Sequence, residues 1–324
     1  MVTASAAFEF EKWHGLYSTA DSMITRKRVG VIGTGRVGMS VAISVLQSGL
    51  AEELLLHDIR SEVAEGEAMD LVHGASFCPT TEVSVTSVEE LVDVDAVVVT
   101  AGRNGRANES RLDLLRDNAA IIRRIGERLV GCRGTIIVVT NPVDVLTAVM
   151  RDASGLPTAR VLGTGTMLDT ARLRYAVGRR LKIDPHSIHA HVVGEHGDSG
   201  TILWSSASVG GVGLRRWPGW EARLEEDVAN EVRTAAYEII RRKGATNHAI
   251  GLVAADLLRC VLRDERRMLT VSRMQEGACG IRDVALSLPS VVGAEGAVQV
   301  VEPEMNQDER DALDRSADIL RRAM

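Results

Sequence analysis

Short, largely apolar runs alternate with longer stretches of helical periodicity through the first half of the chain. The strand-like runs are residues 28–33, 53–57, 83–85, 96–99 and 135–139. The stretches with apolar residues at helical spacing are residues 37–47, 62–72 and 111–130. Strands without a polar face, alternating with helices, are typical of a parallel sheet that helices cover on both sides. Right-handed crossovers between such strands predict an α/β fold with a doubly wound parallel sheet.

The pattern changes after residue 163. The helical stretches there are residues 167–180, 221–243, 246–261 and a charged amphipathic tail that begins at 308. The strand-like stretches are residues 186–193, 268–271 and 280–281. This mixture predicts an α+β second half. Because no low-complexity linker separates the halves, we expect them to pack closely together.

Composition narrows the class of protein. The chain has 324 residues, 45% of them hydrophobic, and a formal net charge of −6. A negative chain has no global field that would hold nucleic acid or anionic lipid, so neither partner is expected. No apolar run approaches the ~20 residues that a membrane-spanning helix needs. The four cysteines form neither a CxxC pair nor a zinc-binding spacing, so we expect reduced thiols in a cytoplasmic protein and no metal site.

The first 25 residues carry acidic side chains and lack an apolar core, so a secretory signal is not expected. Phe10, Trp13 and Tyr17 are spaced to form one apolar stripe on a helix. An apolar stripe needs a cover. Two alternatives stay open for this segment: an arm docked on its own core or on a neighbouring subunit, or a disordered extension.

A glycine-rich turn follows the first predicted strand and opens the first predicted helix. The turn fits GxGxxG, and its candidate cofactor-binding residues are Gly33, Gly35, Arg36, Val37 and Gly38. The first glycine permits a tight turn, the second lets the backbone approach a pyrophosphate, and the third lets helix and strand pack closely. Asp58 lies 20 residues after Gly38, at the end of the second strand. A carboxylate there would bind ribose hydroxyls and repel a 2′-phosphate, which predicts NAD rather than NADP.

Residues 194–199 place one histidine, His196, between glycines and carboxylates. A histidine titrates near neutrality and can give or take a proton in a transition state. A nicotinamide moves a hydride without the accompanying proton, so the protein must supply an acid or base. The turn and the histidine together predict a dehydrogenase acting on an alcohol or ketone. We expect an N-terminal arm (1–25), a dinucleotide-binding domain (26–163) and a substrate and catalytic domain (164–324).

Five segments in a fixed order carry a resemblance to a known family. They are residues 33–38, 100–102 with 109–112, 140–144, 168–172 and 194–199. On these motifs the chain, from Lys27 to its C-terminus, resembles the L-lactate/malate dehydrogenase family. The resemblance implies an NAD-dependent L-2-hydroxy acid dehydrogenase of the lactate type, which converts pyruvate and NADH to L-lactate and NAD. It also implies a cytoplasmic homotetramer or homodimer.

The resemblance assigns roles that make independent physical sense. His196 would protonate the substrate carbonyl oxygen during reduction and take the proton back during oxidation. Asp169 would hydrogen-bond the other ring nitrogen and stabilise the imidazolium. Arg172 would bind the substrate carboxylate through two parallel hydrogen bonds, which suit a planar guanidinium better than an ammonium.

Further roles follow from the same resemblance. Arg111 would polarise the substrate carbonyl, and the segment from about 103 to 113 resembles the family's mobile lid, which brings it into place. Asn141 would orient the reacting oxygen or the nicotinamide. The implied cofactor site also includes Thr100, Ala101 and Gly102.

Substrate choice in this family rests on the lid position six residues before the lid arginine, glutamine in lactate-type and arginine in malate-type members. That position is Gly105 here, which leaves three interpretations open. Pyruvate binds mainly through Arg172, a larger 2-oxo acid fills the vacated volume, or Arg106 or Arg103 meets an anionic substrate.

Thr246 resembles the lactate branch, and an uncharged pocket wall favours a monocarboxylate because an unpaired second carboxylate is costly to desolvate. We therefore rank a lactate-type substrate first, a bulkier 2-oxo acid second and malate third. A catalytically silent relative that keeps the dinucleotide fold is the alternative outside this class, since fold does not establish function.

Arg174 and His189 match positions that bind fructose bisphosphate across a subunit interface in bacterial lactate dehydrogenases. Two cationic groups that meet their symmetry mates could form such an anion site. The alternative is an ordinary surface arginine and a strand histidine. Residues 62–75 and 164–180 form apolar helices suited to subunit contacts.

Overall fold

The structure is a computed structural model that describes residues 26–103, 105 and 111–324, with the backbone alone at residue 111. In its first half, strands and helices alternate. The strands are β1 (Arg28–Ile32), β2 (Glu53–His57), β3 (Glu82–Val85), β4 (Ala96–Val99), β5 (Thr135–Val138) and β6 (Val161–Gly163). The helices are α1 (Arg36–Ser48), α2 (Ser61–His73), α3 (Arg111–Arg128) and α4 (Val143–Ser154). The apolar arm predicted within residues 1–25 lies outside the described residues.

The second half begins with a helix and continues through short strands. Its helices are α5 (Met167–Leu181), α6 (Arg223–Lys243), α7 (His248–Leu262) and α8 (Gln307–Ala323). Its short strands are β7 (Ile188–His189), β8 (Val192–Val193), β9 (Thr201–Ile202), β10 (Ser208–Val209) and β11 (Val212–Gly213). Its long strands are β12 (Arg267–Glu276), β13 (Arg282–Gly293) and β14 (Gly296–Val300).

The first six strands form a parallel sheet in the order β3-β2-β1-β4-β5-β6. The chain thus winds outward in both directions from β1, and the doubly wound sheet predicted from the sequence is confirmed. The strand order reverses between β1 and β4, where ligands bind at the carboxyl ends of the strands in such folds. Antiparallel β12, β13 and β14 extend the same sheet beyond β6, so the two halves share it.

Both faces of the parallel sheet are buried, as its apolar strands require. Successive residues of β2 point to opposite faces: Leu54 and Leu56 join one apolar cluster, and Leu55 joins another. Helices α1 and α7 supply side chains to the first cluster, and α3 and α4 to the second. Among the described residues, no helix has a stretch long and apolar enough to cross a bilayer.

Three predictions about elements were wrong or incomplete. Helix α4 was not predicted: its first six residues are all buried, the polar Asp144 and Thr147 included, so polarity does not mark an exposed face there. The single strand expected over 186–193 is two strands in different sheets, since β7 pairs with β10 and β8 with β9. Residues 280–281 do not form a strand: a one-turn 3₁₀ helix ends at Gly280, and β13 begins at Arg282.

Candidate active site

The glycine turn between β1 and α1 is a stretch of bare backbone shaped by close contacts. Gly33 has φ +100°, and a Cβ there would lie 2.7 Å from the backbone nitrogen of Ala101. A Cβ on Gly38 would lie 1.8 Å from the carbonyl oxygen of Gly33. Around Gly35, by contrast, no described atom lies within 4 Å of an added Cβ. Two glycines therefore close the turn, and the middle one leaves an open approach to the backbone.

The same turn forms the start of α1, where no side chain caps the helix and Gly35 occupies the N-cap position. The first amide groups of a helix are unsatisfied donors at its positive end, which suits a phosphate. Arg36 is exposed beside them, and Val37 is half-buried. This open, uncapped turn fits the pyrophosphate of a dinucleotide.

Asp58 follows β2 and is held against the glycine turn. Its Oδ2 accepts hydrogen bonds from the backbone nitrogen of Thr34 at 2.9 Å and from its hydroxyl at 3.2 Å. Its Oδ1 accepts from the backbone nitrogen of Arg60 at 3.0 Å. Partial burial alone would raise the pKa of Asp58, but these hydrogen bonds outweigh it and lower the pKa below its ordinary value. The carboxylate is therefore charged at neutral pH, which disfavours a nearby 2′-phosphate.

The chain after β4 is joined to the glycine turn and to the chain after β5. The Thr100 hydroxyl donates to the carbonyl oxygen of Gly33 at 2.7 Å. A Cβ on Gly102 would lie 2.5 Å from Thr140 Cγ2, and the Thr140 hydroxyl donates to the Ala101 carbonyl at 2.8 Å. These contacts draw the ends of β1, β4 and β5 together around the point where the strand order reverses.

Asn118 on α3 is a site residue that the sequence did not indicate. Its Oδ1 accepts from the backbone nitrogen of Arg103 at 2.9 Å, and its Nδ2 donates to the carbonyl oxygens of Arg103 and Asn141 at 3.3 Å each. The side chain is buried. It thus holds the beginning of the lid segment beside Asn141, which is itself exposed. An asparagine within a helical stretch carries no signal for such a role.

Three of the predicted catalytic and substrate-binding residues meet around one carboxylate. Asp169, in the first turn of α5, accepts from His196 Nδ1 through Oδ2 at 2.6 Å. Its Oδ1 accepts from Arg172 Nη1, one helical turn later, at 2.9 Å. The side chains of Asp169 and Arg172 are 14% and 15% exposed. The structure therefore brings together an imidazole, its carboxylate partner and a guanidinium, all largely shielded from water.

The protonation of this group follows from its surroundings. Burial alone would lower the pKa of His196, but the hydrogen bond and the charge of Asp169, helped by the charge of Asp144, raise it above the ordinary value. Burial would raise the pKa of Asp169, but its bond to His196 and the charges of His196 and Arg172 lower it. The pair is thus poised as imidazolium and carboxylate, a form that can give a proton to a developing oxyanion.

The loop that carries His196 is fastened at several points. The backbone nitrogen of His196 donates to Asp144 Oδ2 on α4 at 2.7 Å. The backbone nitrogen of Glu195 donates to the hydroxyl of Ser316 on α8 at 2.8 Å. Ser199 donates through its hydroxyl to the Glu195 carboxylate. Two helices distant in sequence therefore fix the position of the imidazole, and neither Asp144 nor Ser316 was predicted to do so.

The remaining predicted substrate residues are described in part. Thr246 is half-buried between α6 and α7, and the preceding Gly244 lies near the Arg36 side chain of the glycine turn. Gly105 is exposed, and an added Cβ would lie 3.4 Å from Leu114 Cδ2. Arg106 and the side chain of Arg111 lie outside the described residues. Arg103 forms an ion pair with Asp117 on α3, Nη2 to Oδ2 at 2.7 Å.

The two residues predicted for an effector site lie close together. Arg174 on α5 donates through Nε to the carbonyl oxygen of Ala190 at 3.2 Å, immediately after His189 on β7. Burial and the charge of Arg267 lower the pKa of Arg174. Burial, with the charges of Arg174 and His189, lowers the pKa of His191 to about 4. Positive groups therefore crowd this end of β7.

Hydride chemistry needs a dinucleotide and a separate proton carrier. The uncapped glycine turn suits the first, and the buried His196–Asp169 pair suits the second. The fold and site together define a nicotinamide-dependent dehydrogenase.

Comparison with known proteins identifies the family to which the chain belongs. Residues 27–163 match the family model of the lactate/malate dehydrogenase NAD binding domain, and residues 166–324 match that of the alpha/beta C-terminal domain. The chain therefore belongs to the lactate/malate dehydrogenase family, which confirms the resemblance, the enzyme class of NAD-dependent 2-hydroxy acid oxidoreductases and the expected cofactor.

Individual relatives are similar over nearly their full length. An L-lactate dehydrogenase of Synechococcus sp. (strain JA-3-3Ab) is 44% identical over 297 residues, 91% of this chain and 97% of that protein. One from Salinibacter ruber is 44% identical over 306 residues, with 92% and 97% covered. A minor L-lactate dehydrogenase from Enterococcus mundtii, crystallised in a ligands-bound form, has a TM-score of 0.90 at 36% identity, with 92% and 97% covered.

Proposed function

We propose that this chain interconverts pyruvate and L-lactate, with His196 as the proton donor and acceptor. The observation that carries the proposal is the Asp169 bridge, with His196 Nδ1 at 2.6 Å on one oxygen and Arg172 Nη1 at 2.9 Å on the other. It sets a proton carrier beside a guanidinium, which are the two groups that a 2-oxo acid needs at its carbonyl and its carboxylate. The similarity to proteins named L-lactate dehydrogenase supports the same substrate class.

The chemistry of the chain follows from this arrangement. Because Nδ1 of His196 is bonded to Asp169, Nε2 is the nitrogen that gives its proton to the substrate oxygen. Asp169 stays ionised, holds the ring in that tautomer and stabilises the imidazolium before the transfer. Arg172 makes no other hydrogen bond within the described part of the chain, so its remaining N–H groups are available for a carboxylate. Arg111 would stabilise the developing oxyanion.

The cofactor would be held by the glycine turn, with Thr100, Ala101 and Gly102 beside it and Asp58 on the ribose. NADH, when bound, supplies the hydride. The division between a dinucleotide-binding domain (26–163) and a catalytic domain (164–324) is supported by the two family models, which meet near the same point. The four cysteines are free thiols, which supports a reducing compartment such as the cytoplasm.

Pyruvate ranks above dicarboxylic 2-oxo acids such as oxaloacetate because position 105 is a glycine, which carries no charge to meet a second carboxylate. The Arg103 side chain, one candidate for that role, is engaged with Asp117. We expect NADH oxidation to be fastest with pyruvate in a panel that adds 2-oxobutyrate, phenylpyruvate and oxaloacetate. Preference for oxaloacetate by orders of magnitude would overturn the ranking, and no turnover with any of them would favour a silent relative.

A Gly105→Gln variant tests the lid position directly. An added Cβ meets Leu114 at an ordinary contact distance, so the side chain can be accommodated. An amide at this position should raise the preference for pyruvate over phenylpyruvate by about tenfold, because it narrows the pocket. Gly213→Gln, at a half-buried glycine of β11 where an added Cβ would lie 3.6 Å from Arg216 Nε, is the control. An unchanged preference in Gly105→Gln would contradict the role of this position.

We propose further that the chain self-associates, as a homotetramer or homodimer, through exposed apolar side chains on α2 and α5. Met69, Val72 and Tyr175 are 62%, 48% and 60% exposed on these helices. Met69 and Val72 are neighbours on the helix surface, and contiguous exposed apolar patches are typical of interaction sites. Light scattering should report a mass well above one chain, and Tyr175→Glu should reduce it.

The crowding of positive groups around Arg174 and His189 supports an anion-binding effector site, with fructose bisphosphate as the candidate ligand. Burial and the charge of Arg267 both lower the pKa of Arg174, and a bound anion would offset both effects by stabilising its positive charge. Millimolar fructose bisphosphate should lower the KM for pyruvate, and Arg174→Gln should abolish the response. Equal activity with and without the ligand would remove this part of the proposal.

A further inference from the structure

Asp144 is a buried carboxylate that the mechanism above does not use. It is the second residue of α4 and only 2% exposed. Carboxylates are almost never buried to this degree without a partner, since leaving water is costly for a charge. Its Oδ1 has no hydrogen-bond partner among the described residues. Because burying this carboxylate costs free energy, we examined which groups it contacts.

Its other oxygen, Oδ2, accepts a hydrogen bond from the backbone of the proton-transfer residue. Asp144 Oδ2 accepts from the His196 N–H at 2.7 Å, while the imidazole of the same residue bonds to Asp169 at 2.6 Å. His196 is thus held by two carboxylates from two helices, one through its backbone and one through its ring. A negative charge so close to an imidazolium also stabilises it electrostatically.

The charged and titratable groups around the pair are few. Within the described chain, Asp144 is acted on by His196 and Glu195 of the 194–199 loop, and β12 contributes only the Ser272 hydroxyl. The groups acting on His196 are Asp169, Asp144 and Arg172. Arg172 disfavours the imidazolium, and both aspartates favour it. The charge of Asp144 therefore raises the pKa of His196 together with that of Asp169, and both oppose the charge of Arg172, the guanidinium that binds substrate.

We propose that Asp144 is a positioning residue for proton transfer: its buried carboxylate fixes the backbone of His196 and supplies a second negative charge that keeps the imidazole protonated. The two effects are separable. The backbone contact determines where the ring lies at every pH, whereas the charge determines how far up the pH scale His196 can still donate a proton. This inference rests on the proposed role of His196.

Asp144→Asn separates the two effects, because the amide keeps an oxygen for the His196 N–H and removes the charge. We expect kcat/KM for pyruvate reduction to fall about tenfold at pH values above the raised pKa of His196, and to stay within about twofold at pH values well below it. The affinity for NADH, measured by fluorescence titration, should not change. Asp152→Asn, which removes an exposed carboxylate from the same helix, is the matched control and should follow the wild-type profile.

A direct readout does not depend on turnover. In protein labelled with ¹³C-histidine, the resonance missing from a His196→Asn sample identifies His196, and its titration should move to lower pH in Asp144→Asn. Should that variant fail to bind NADH, the wild-type protein still provides a test. The ¹³Cγ resonance of Asp144 and the His196 resonance should then respond to each other's titration.

The outcomes of these experiments distinguish a failure of the role proposed for Asp144 from a failure of the proposed function. A pH profile and a His196 titration unchanged in Asp144→Asn would overturn the role of Asp144, as would independent titration of the two groups in the wild type. A loss of activity that is equal at all pH values would mean that Asp144 is structural only. Full activity in His196→Asn would instead refute the proposed function, whatever the Asp144 variant does.

Discussion

Replacing Asp144 with asparagine should stabilise the protein relative to the wild type, and increasingly so as the pH rises. Burial raises the pKa of Asp144 from 3.8 to about 6 in the folded protein. Between these pH values the folded protein keeps the proton and the unfolded chain releases it. The wild type therefore loses stability as the pH rises through this window, and the loss is complete above the folded pKa.

The size of the effect follows from the two pKa values. A difference of about two pH units corresponds to ~3 kcal/mol of lost stability, of which ~1.4 kcal/mol falls between pH 5 and pH 8. Asparagine is neutral throughout and escapes this loss. Removing the charge also lowers the pKa of His196, whose raised value stabilises the fold at low pH, so the coupled effect has the same sign.

Urea unfolding followed by tryptophan fluorescence, at several pH values from 5 to 8, measures the gap between variant and wild type. Protein concentration must be fixed, because the proposed self-association would add to apparent stability. Asp152→Asn on the same helix should show a gap that is constant with pH. A gap for Asp144→Asn that does not widen with pH, or that reverses, would refute the assignment of a buried, ionised carboxylate. A variant that is more stable and yet slower at high pH would support its role in function.

Four further predictions concern the site. His196→Asn should lower kcat by about a thousandfold with little change in NADH affinity, as steady-state kinetics and fluorescence titration can measure, because only the proton carrier is lost; retained turnover would contradict its role. In the wild type, pyruvate reduction should decline as the pH rises through the raised pKa of His196, and a rate that increases with pH would be incompatible with proton donation. Asp58→Ser should raise the kcat/KM ratio of NADPH to NADH by at least about tenfold, because it removes the charge that repels a 2′-phosphate, whereas Glu62→Ser on the neighbouring helix should leave the ratio unchanged. Gly38→Ala should abolish NADH binding, because its Cβ would lie 1.8 Å from the Gly33 oxygen; normal affinity would contradict this account of the turn.

The sequence was sufficient for the parts of the fold that local pattern encodes. Strands β1, β2, β4 and β5 were predicted to within a residue, because wholly apolar runs between amphipathic helices fit only a sheet covered on both faces. The glycine turn was recognisable because the backbone is too close at Gly33 and Gly38 to leave room for a side chain, so glycine appears there in the sequence. Five motifs in a fixed order then identified the family, which the family models confirm.

Local pattern failed where polar residues of a helix are buried and where the partner of a strand is ambiguous. Helix α4 lies between α3 and strands β12 and β13, so its first six residues are all buried, including the polar Asp144 and Thr147, and polarity there does not mark an exposed face. Alternation over 186–193 indicated extended chain but could not indicate that its two ends pair in different sheets.

Only the tertiary structure decided how the chemistry is assembled. Asp144, Asn118 and Ser316 come from three helices and have no motif of their own, yet each makes a hydrogen bond that holds an active-site loop. Their roles depend on burial and on distances between segments far apart in sequence. The sequence by itself determined which groups could carry a proton, a carboxylate and a dinucleotide. Long-range packing determined how far these groups are buried and which charges lie next to His196. Burial and neighbouring charges together set the pKa of His196.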